Sequence, residues 1–394
     1  MTTSWGAEEK AMTTTTFIHT SDLQWGMTRW FLDEDAQARF EAARWDAVRR
    51  IGELARERGA DFVVMAGDVF DKNSLSPRTQ GRALEILGEV GVPVLLLPGN
   101  HDPLVADSPF YAAEDVPGVI VLRDDHPVPV LPGVEVVGAP LRAKYASADL
   151  VAHALAGLEP DEGIRIAVGH GQVVGRGGQA DPALIDLAGV ERALAEGVVD
   201  YLALGDTHST QRVGGTGRVW FSGAPEVTDF HDRYAGKSGG ETDSGNVLCV
   251  TVTKTRPTDA RVEVEKVPVG RWRFEAVDAE LNSQEEVEDF LALLRAYPHK
   301  DRTVVKYSLR GTLGVAAMRA LEAGLARLVP VFAALYERER LMDLHLEPSP
   351  EEVAEADLRG FAAAALSELV EAENSDAVNL LLRLSAEAAG AEER

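Results

Sequence analysis

Residues 62–71 read FVVMAGDVFD, an apolar run of strand length that ends in Gly67-Asp68. The run does not alternate apolar and polar residues, which is typical of a strand buried on both faces. The same order of apolar run and polar end recurs at residues 16–19, 92–97, 164–168 and 201–204. Helical patterns lie at residues 33–58, 77–90 and 183–196. This alternation predicts an α/β fold whose sheet is covered by helices on both faces.

Side chains that can bind metal ions follow each of the predicted strands. In chain order they are Asp22 with Gln24, Asp68, Asn100, His170, and Asp206 with His208. Ligands bind outside the carboxyl ends of strands in open α/β sheets, so these residues should meet in one crevice. Carboxylate and amide oxygens with imidazole, and without cysteine, suit Mn²⁺, Fe²⁺ or Zn²⁺. Two such ions roughly 3.5–4 Å apart can hold a phosphoryl group and activate water, and Asp68 is the natural bridging carboxylate.

The motifs that carry these side chains resemble those of a known family. The series is Asp22, Gly67-Asp68, Gly99-Asn100-His101-Asp102, Gly169-His170 and Gly205-x-x-His208, and it resembles the calcineurin-like metallophosphoesterases. Within that family, residues 17–22, 66–71 and 98–102 look most like the SbcD-type DNA exonuclease subunits, which pair with an SMC-like ATPase of SbcC type. The resemblance covers residues 17–225 and implies a four-layer α/β sandwich core.

The resemblance also implies a role for each site residue. One divalent metal ion would be bound by Asp22, Gln24, Asp68 and His208, and a second by Asp68, Asn100, His170 and Asp206. His101 would bind no metal and would donate to the scissile phosphate or to the leaving oxygen. Asp102 would fix the tautomer of His101. Together these roles predict a metal-dependent phosphodiesterase of DNA repair type, which cleaves DNA with activated water.

Two positions depart from the family pattern. Gln24 stands where a histidine is usual, and Asp206 replaces the first histidine of the last motif. Three carboxylates facing two divalent ions leave a net charge of about +1, which favours Mn²⁺ over Zn²⁺. Because an amide is a poor ligand, the ion beside Gln24 should exchange more readily than the other. Two further hypotheses stay open: a phosphoesterase for small phosphate esters, and a metal-binding regulatory subunit of the ATPase with a weakened active site.

Residues beside the motifs offer weaker signals. Trp25 and Arg29 could bind substrate, by stacking on unpaired bases and by meeting a phosphate. The alternative, which we favour, is that Trp25 packs against the following helix. Asp71 either orients a metal-bound water or caps a turn. His19 is expected to be a packed core histidine rather than a ligand.

The chain divides into four predicted segments. They are a disordered N-terminus (1–16), the metallophosphoesterase domain (17–269), a small α/β cap (270–312) and a helical C-terminal region (313–394). Within the domain, the Gly- and Ser-rich residues 231–245 predict a mobile loop. Apolar residues at 329–344 and 361–384 predict core packing or, by the resemblance, a surface that docks onto the ATPase. A homodimer is also compatible with the resemblance.

Composition excludes several classes of protein. The 394 residues include 39 Lys and Arg against 64 Asp and Glu, and the net charge of −25 argues against gripping nucleic acid with the whole surface. DNA affinity would have to come from a local basic patch, bound metal or a partner. The single cysteine, Cys249, excludes a disulfide framework and a Cys-rich zinc site. The first 16 residues have no apolar region of a secretory signal, and no apolar run is long enough to span a membrane, so the expected location is the cytoplasm.

Overall fold

A computed structural model describes residues 12–174, 183–230, 241–347 and 360–372, together with a few residues between 377 and 384. The chain forms two compact units. The first unit consists of Met1–Trp30 with Gln37–Trp272, and the second of Phe31–Ala36 with Arg273–Arg394. Among the residues that the structure describes, no helix combines the length and the apolar character that a membrane span requires.

The first unit contains two six-stranded sheets. The strands of sheet one are β1 (Thr13–Thr20), β2 (Phe62–Met65), β3 (Val94–Leu96), β4 (Val119–Val121), β11 (Asn246–Lys254) and β12 (Arg261–Pro268), in the order β12-β11-β1-β2-β3-β4. The strands of sheet two are β5 (Val128–Leu131), β6 (Val134–Gly138), β7 (Ile164–His170), β8 (Tyr201–Gly205), β9 (Gln211–Val213) and β10 (Val219–Phe221), in the order β5-β6-β7-β8-β10-β9. Strands β1 to β4 are parallel to one another, and so are β6, β7, β8 and β10.

Among the described residues, five helices lie wholly or mainly in the first unit. They are α1 (Glu34–Arg58), α2 (Pro77–Glu89), α3 (Phe110–Ala113), α4 (Leu150–Leu155) and α5 (Leu187–Glu196). The predicted start of α2 is confirmed: the Ser76 hydroxyl accepts a hydrogen bond from the backbone N–H of Thr79, and Pro77 is the first helical residue. This pairing suits a helix start, because the cap satisfies a free N–H and proline has none to leave unpaired.

The two sheets pack face to face and are enclosed by the helices. Phe17 and Phe62 of sheet one stack with their ring centroids 5.1 Å apart, and Tyr201 of sheet two meets Phe17 edge-on at 5.6 Å. In β2, Phe62 and Val64 face this inner core, whereas Val63 and Met65 face the helices. Helices α1 and α2 cover sheet one, and α4 and α5 cover sheet two. The predicted four-layer α/β sandwich is therefore confirmed.

The N-terminal boundary differs from the prediction. The predicted disordered segment extended to residue 16. Strand β1 begins at Thr13, so the prediction is wrong for residues 13–16. Thr13 to Thr16 pair with Lys254 to Thr251 of β11, and this long-range pairing gives order to a threonine run that carries no local signal. Residues 231–240 of the predicted mobile loop lie outside the described residues.

The second unit is built on a sheet of four parallel strands. They are β13 (Arg273–Glu280), β14 (Thr303–Leu313), β15 (Ala334–Glu337) and β16 (Asp343–Leu346). Helices α6 (Gln284–Ala296) and α7 (Val315–Leu328) pack on it through a common apolar core, and α8 (Phe361–Glu371) follows in the chain.

The predicted helical C-terminal region (313–394) is helical only in part. Strands β15 and β16 lie in that region and pair with successive parts of one edge of β14, at Val304–Tyr307 and Arg310–Leu313. Each has only four residues, and a segment this short gives a weak periodic signal beside the helical patterns around it. Core packing of Leu335 and its neighbours is the role that the structure supports for this stretch.

His19 is a core histidine, as predicted. It is fully buried, its Nε2–H donates to the Leu204 carbonyl at 3.2 Å, and its Nδ1 accepts from the Tyr201 hydroxyl at 3.1 Å. Burial lowers the pKa of His19 to about 3. In the unfolded chain the ring takes up a proton below about pH 6.5, whereas in the folded chain it does so only near pH 3. Protons therefore favour unfolding between these two values.

This arrangement predicts an acid-sensitive contribution to stability. The contribution of His19 should be complete above pH 6.5 and fall by about 1.4 kcal/mol per pH unit as the pH drops toward 3. The variant His19→Gln keeps a donor and an acceptor but does not titrate. In this variant, the part of the stability that His19 loses at acid pH should not be lost. Urea unfolding from pH 7 to pH 4 measures it, with the exposed His126→Gln as control. Parallel stability curves for wild type and His19→Gln would contradict the assignment.

Candidate metal centre

The carboxyl ends of five strands meet at one edge of the first unit, and the backbone there is strained. Asp22, Gln24, Asp68 and Asp206 have positive φ angles of 55°, 45°, 51° and 92°. In the described part of the chain, His299 is the only other non-glycine residue with a positive φ. Such conformations cost free energy and persist where the surrounding structure enforces them, which is common at functional sites. These backbone conformations direct the four side chains into one shared crevice.

Main-chain hydrogen bonds join the strand ends to one another. The backbone N–H of Asp22 donates to Gly67 O at 3.0 Å, and that of Gln24 donates to Asp68 O at 2.9 Å. The backbone N–H of Asp206 lies 3.2 Å from both carboxylate oxygens of Asp22. These bonds hold the first, second and last motifs in a fixed relation.

Glycines at the strand ends allow the close approach. A Cβ on Gly99 would lie 2.2 Å from Asp68 Oδ1, and a Cβ on Gly67 would lie 2.2 Å from His170 Nδ1. At Gly205 a Cβ would lie 2.0 Å from the carbonyl oxygen of Ala66. Since real Cβ atoms do not come so near to other atoms, the glycines before Asp68, Asn100 and Asp206 are a steric requirement of the crevice.

The first half of the centre gathers acceptor atoms around His170. Nε2 of His170 lies 3.3 Å from Asp68 Oδ1 and 3.8 Å from Asp206 Oδ1, and it accepts a hydrogen bond from the side-chain NH2 group of Asn100 at 2.8 Å. Its Nδ1–H donates to the Ala66 carbonyl at 2.8 Å, so the lone pair of Nε2 faces the carboxylates. A backbone partner for the second ring nitrogen is a usual feature of metal-binding histidines.

The carboxylates around the His170 ring stabilise a positive charge there. Burial lowers the pKa of His170, but the charges of Asp68, Asp22 and Asp206 outweigh it and raise the pKa well above its usual value. Burial raises the pKa of Asp22 to about 6. Ligand atoms of Asp22, Asp68 and His170 all lie within 4.8 Å of one another. Oxygen and nitrogen atoms that stabilise a proton between them can also bind a divalent cation. The side chains gathered here therefore fit a metal site.

The second half of the centre is arranged around His208. Its Nε2 lies 3.8 Å from Asp22 Oδ1 and 3.2 Å from Gln24 Nε2. Its Nδ1–H donates to the hydroxyl of Thr228, whose own proton is donated to Glu241. The Oε1 atom of Gln24 is buried and has no hydrogen-bond partner among the described residues. An unpaired buried acceptor beside a histidine lone pair again fits a cation.

Glu241 is a site residue that the sequence did not reveal. Its carboxylate is buried, lies 3.5 Å from His208 Nδ1, and accepts the backbone N–H groups of Thr228 and Asp229, each at 2.8 Å. Burial raises its pKa, but hydrogen bonding and the charge of His208 outweigh burial and hold the pKa below the usual value. One glutamate in a Gly- and Ser-rich stretch carries no signal of its own, so only the fold identifies it.

His101 lies at the rim of the crevice. Its backbone N–H donates to Asp68 Oδ1 at 2.9 Å, and its ring Nδ1–H donates to the Asp71 carbonyl at 3.0 Å. The ring is exposed, so Nε2 is free to meet a ligand. Asp71 contributes to the site through this main-chain carbonyl.

The predicted role of Asp102 is wrong. Its carboxylate is fully buried and accepts the backbone N–H groups of Gly99 at 2.7 Å and Phe70 at 2.9 Å. It therefore stabilises the turn that carries Asn100 and His101 and does not orient the ring of His101. Burial raises the pKa of Asp102 to about 7, with the charge of Asp68 adding to the effect.

The flanking residues have structural roles. Trp25 is fully buried, with its ring centroid 4.8 Å from that of Trp45, and its Nε1–H donates to the Arg44 carbonyl at 3.4 Å. Stacking of Trp25 on a base is therefore excluded, and the packing alternative is confirmed. The half-buried Arg29 donates to the carbonyl of Thr228, so it supports the segment that contacts His208.

Comparison with known proteins gives the class. Residues 15–210 match the family model of calcineurin-like phosphoesterases. The uncharacterized metallophosphoesterase YhaO of Bacillus subtilis (strain 168) is 34% identical over 101 residues, which are 24% of this chain and 24% of that protein. The DNA double-strand break repair protein Mre11 of Archaeoglobus fulgidus is 43% identical over 68 residues, 16% of this chain and 15% of that protein. Mre11 of Saccharolobus solfataricus is 25% identical over 159 residues, 39% of this chain and 40% of that protein.

The chain thus spans less than half the length of each of these relatives. Among solved structures, a dimetal phosphatase from Danio rerio is 13% identical, with a TM-score of 0.37 over 65% of this chain and 99% of that one. The family match and the crevice of candidate metal ligands at the strand ends agree with each other. Through residues 15–210 the chain belongs to the calcineurin-like metallophosphoesterase family.

Glu241 provides a test of the centre that does not depend on turnover. In Glu241→Gln the support for His208 is weakened, and calorimetry with Mn²⁺ should show one binding event weakened about 10- to 100-fold. Glu226→Gln is the matched control, because Glu226 is also buried but its carboxylate accepts backbone N–H groups at Arg271 and Trp272. Equal Mn²⁺ binding in wild type and Glu241→Gln would show that Glu241 does not support a metal ligand.

Proposed function

We propose that this chain hydrolyses phosphodiester bonds in DNA with the help of two divalent metal ions, most effectively Mn²⁺. The observation that carries the proposal is the convergence of Asp22, Asp68, Asn100, His170 and His208 on one crevice, with Nε2 of both histidines turned inward. The Mre11 relatives, named as double-strand break repair proteins, support DNA as the substrate.

The chain's own residues divide into two ligand sets that share Asp68. Asp22, Gln24 and His208 would hold one ion with Asp68, while Asn100, His170 and Asp206 would hold the other. When bound, such ions bind the phosphoryl oxygens and lower the pKa of a coordinated water. The three carboxylates balance most of the cationic charge, and oxygen-rich sets of this kind favour Mn²⁺.

His101 is the residue placed to act on the substrate. Because Nδ1–H is held by the Asp71 carbonyl, the Nε2 atom points away from the turn and is accessible. In its protonated form Nε2–H can donate to a phosphate oxygen or to the leaving oxygen. The backbone N–H of His101 meanwhile holds Asp68 Oδ1, so one residue positions a ligand and faces the substrate.

The ligand set beside Gln24 supports a second candidate function. Nε2 of Gln24 lies 3.2 Å from Nε2 of His208 and donates into the lone pair that a metal ion would need. Binding there requires the amide to turn, so this ion should be the weaker of the two. If it never binds, the chain is a one-metal regulatory subunit of an ATPase. A count of two Mn²⁺ per chain by calorimetry supports the hydrolase, and a count of one supports the subunit.

Turnover and metal binding separate the role of His101 from that of Asp68. His101→Ala should keep both Mn²⁺ sites and lose about 10²- to 10⁴-fold in hydrolysis, because only the proton donor is removed. Asp68→Ala should lose both Mn²⁺ binding and hydrolysis. The assay compares labelled single- and double-stranded DNA with bis-p-nitrophenyl phosphate. Loss of metal in His101→Ala would overturn its assignment, and cleavage of the small ester without any cleavage of DNA would favour the small-ester alternative.

We further propose that the C-terminal region binds an SMC-like ATPase and that the protein works in the cytoplasm. Helix α8 leaves the ring of Phe361 89% exposed, while Leu366 of the same helix is buried. A partner helix that packs over Phe361 would remove this exposed apolar area.

A shortened chain tests the partner. Ending the chain at Glu347 keeps the four strands described in the second unit and removes the small cluster in which Leu366 and Val378 pack with Val315. Because that cluster lies outside the first unit, phosphodiester hydrolysis should stay within roughly twofold of wild type. Co-purification with the ATPase should be lost, and Phe361→Glu should weaken it. Leu293→Glu, at an exposed position of α6, is the matched control. Undiminished ATPase binding by the shortened chain would contradict this role.

A further inference from the structure

A cavity of about 410 Å³ opens in the first unit at the carboxyl edge of the sheets. Three chain segments line it. They are Asp124 and Asp125 after β4, residues 139–143 and 145–147 after β6, and Leu150 with His153 of α4. The volume lies within the range of small-molecule pockets, which is about 300–1,000 Å³. None of these residues has a part in the metal centre.

Strand order places this cavity next to the metal centre. In sheet one β4 is the neighbour of β3, and in sheet two β6 is the neighbour of β7. Strands β3 and β7 lead to Asn100 and His170, so the cavity occupies the next position along the same edge of both sheets. Ligand sites in α/β folds extend along this edge.

Backbone hydrogen bonds connect the cavity wall to the catalytic turns. Leu141 N–H donates to Pro98 O at 3.2 Å, and Leu104 N–H donates to Leu141 O at 2.8 Å, on either side of Asn100 and His101. Ala139 N–H donates to Val168 O at 2.9 Å, two residues before His170. Two residues of extended chain span about 7 Å. The cavity wall therefore begins about this distance from His170 of the metal centre, which one nucleotide of a bound strand can span.

The lining combines an aromatic ring, cations and acceptors. Tyr145 is 79% exposed at the mouth, and Lys144 Nζ lies 5.8 Å from the centroid of its ring. Arg142 is exposed beside them, on a protein whose net charge is −25. Ala139 and Leu141 form an apolar floor, and Asp125 pairs with His153 at 3.3 Å. A base can stack on such a ring, its amino groups can meet the carboxylates, and the cations suit the flanking phosphates.

We propose that this cavity binds the nucleoside next to the scissile phosphate, with Tyr145 stacking on the base. The proposal rests on the proposed function and deepens it, because a nucleoside subsite would distinguish nucleic acid from simple phosphate esters. Arg142 and Lys144 then contact the phosphate that follows, which gives the acidic protein a local basic patch where the substrate must lie.

Two esters that differ only in the nucleoside test the subsite. Thymidine 5′-(p-nitrophenyl phosphate) and methyl p-nitrophenyl phosphate both release p-nitrophenolate, so the chemistry and the readout are the same. In Tyr145→Ala, kcat/KM for the thymidine ester should fall about 5- to 150-fold, mainly through KM, because base–aromatic stacking is lost. The methyl ester should be unaffected. Ala143→Trp, which fills the cavity from its exposed rim, should have the same selective effect.

Tyr111→Ala is the matched control, because Tyr111 is 43% exposed and does not line the cavity. Equal effects of Tyr145→Ala on both esters, or no effect on either, would overturn the subsite. Absence of turnover with both esters would contradict the proposed hydrolysis instead. In that case calorimetric titration of thymidine 5′-monophosphate with Mn²⁺ present decides the subsite, since weaker binding by Tyr145→Ala supports it and equal or absent binding overturns it.

Discussion

Buried carboxylates that face one another are the constraint on which this structure depends. Asp22 and Asp68 are almost completely buried, and Asp206 points to the same place. Removing such groups from water without compensation costs several kcal/mol per ion. Part of the compensation comes from backbone N–H groups, such as that of His101 on Asp68, and part from His170. The negative charge that remains would be balanced by the divalent cations of the proposed function.

The rest of the first unit maintains this unfavourable arrangement. Positive φ angles at four site residues and glycines without room for a Cβ mean that the crevice would relax if the strand ends were free to move. They are not free, because the aromatic and aliphatic core between the two sheets holds both sets of strands in register. Dense packing of this kind lets local strain persist at a functional edge.

The two halves of the centre are supported in different ways. His170 is held by a main-chain carbonyl of a neighbouring strand end, which belongs to the rigid part of the fold. His208 is held through Thr228 and Glu241, which follow the last motif in a loop. Gln24 adds an amide to this second half that can compete for the histidine lone pair. The half built on strands and the half built on loop residues should therefore differ in how tightly they hold an ion.

The sequence by itself determined the layered α/β core and most of the residues that meet in the crevice, because apolar runs of strand length and the polar residues after them are local patterns. It also indicated the core position of His19 and the cap of α2. Only the tertiary structure decided the role of Glu241, the inward-facing place of Asp102 and the strands β15 and β16. Each of these depends on a partner far away in the chain, such as β14 for the two short strands. A short segment or single carboxylate has no local signature of the contact that it will make after folding.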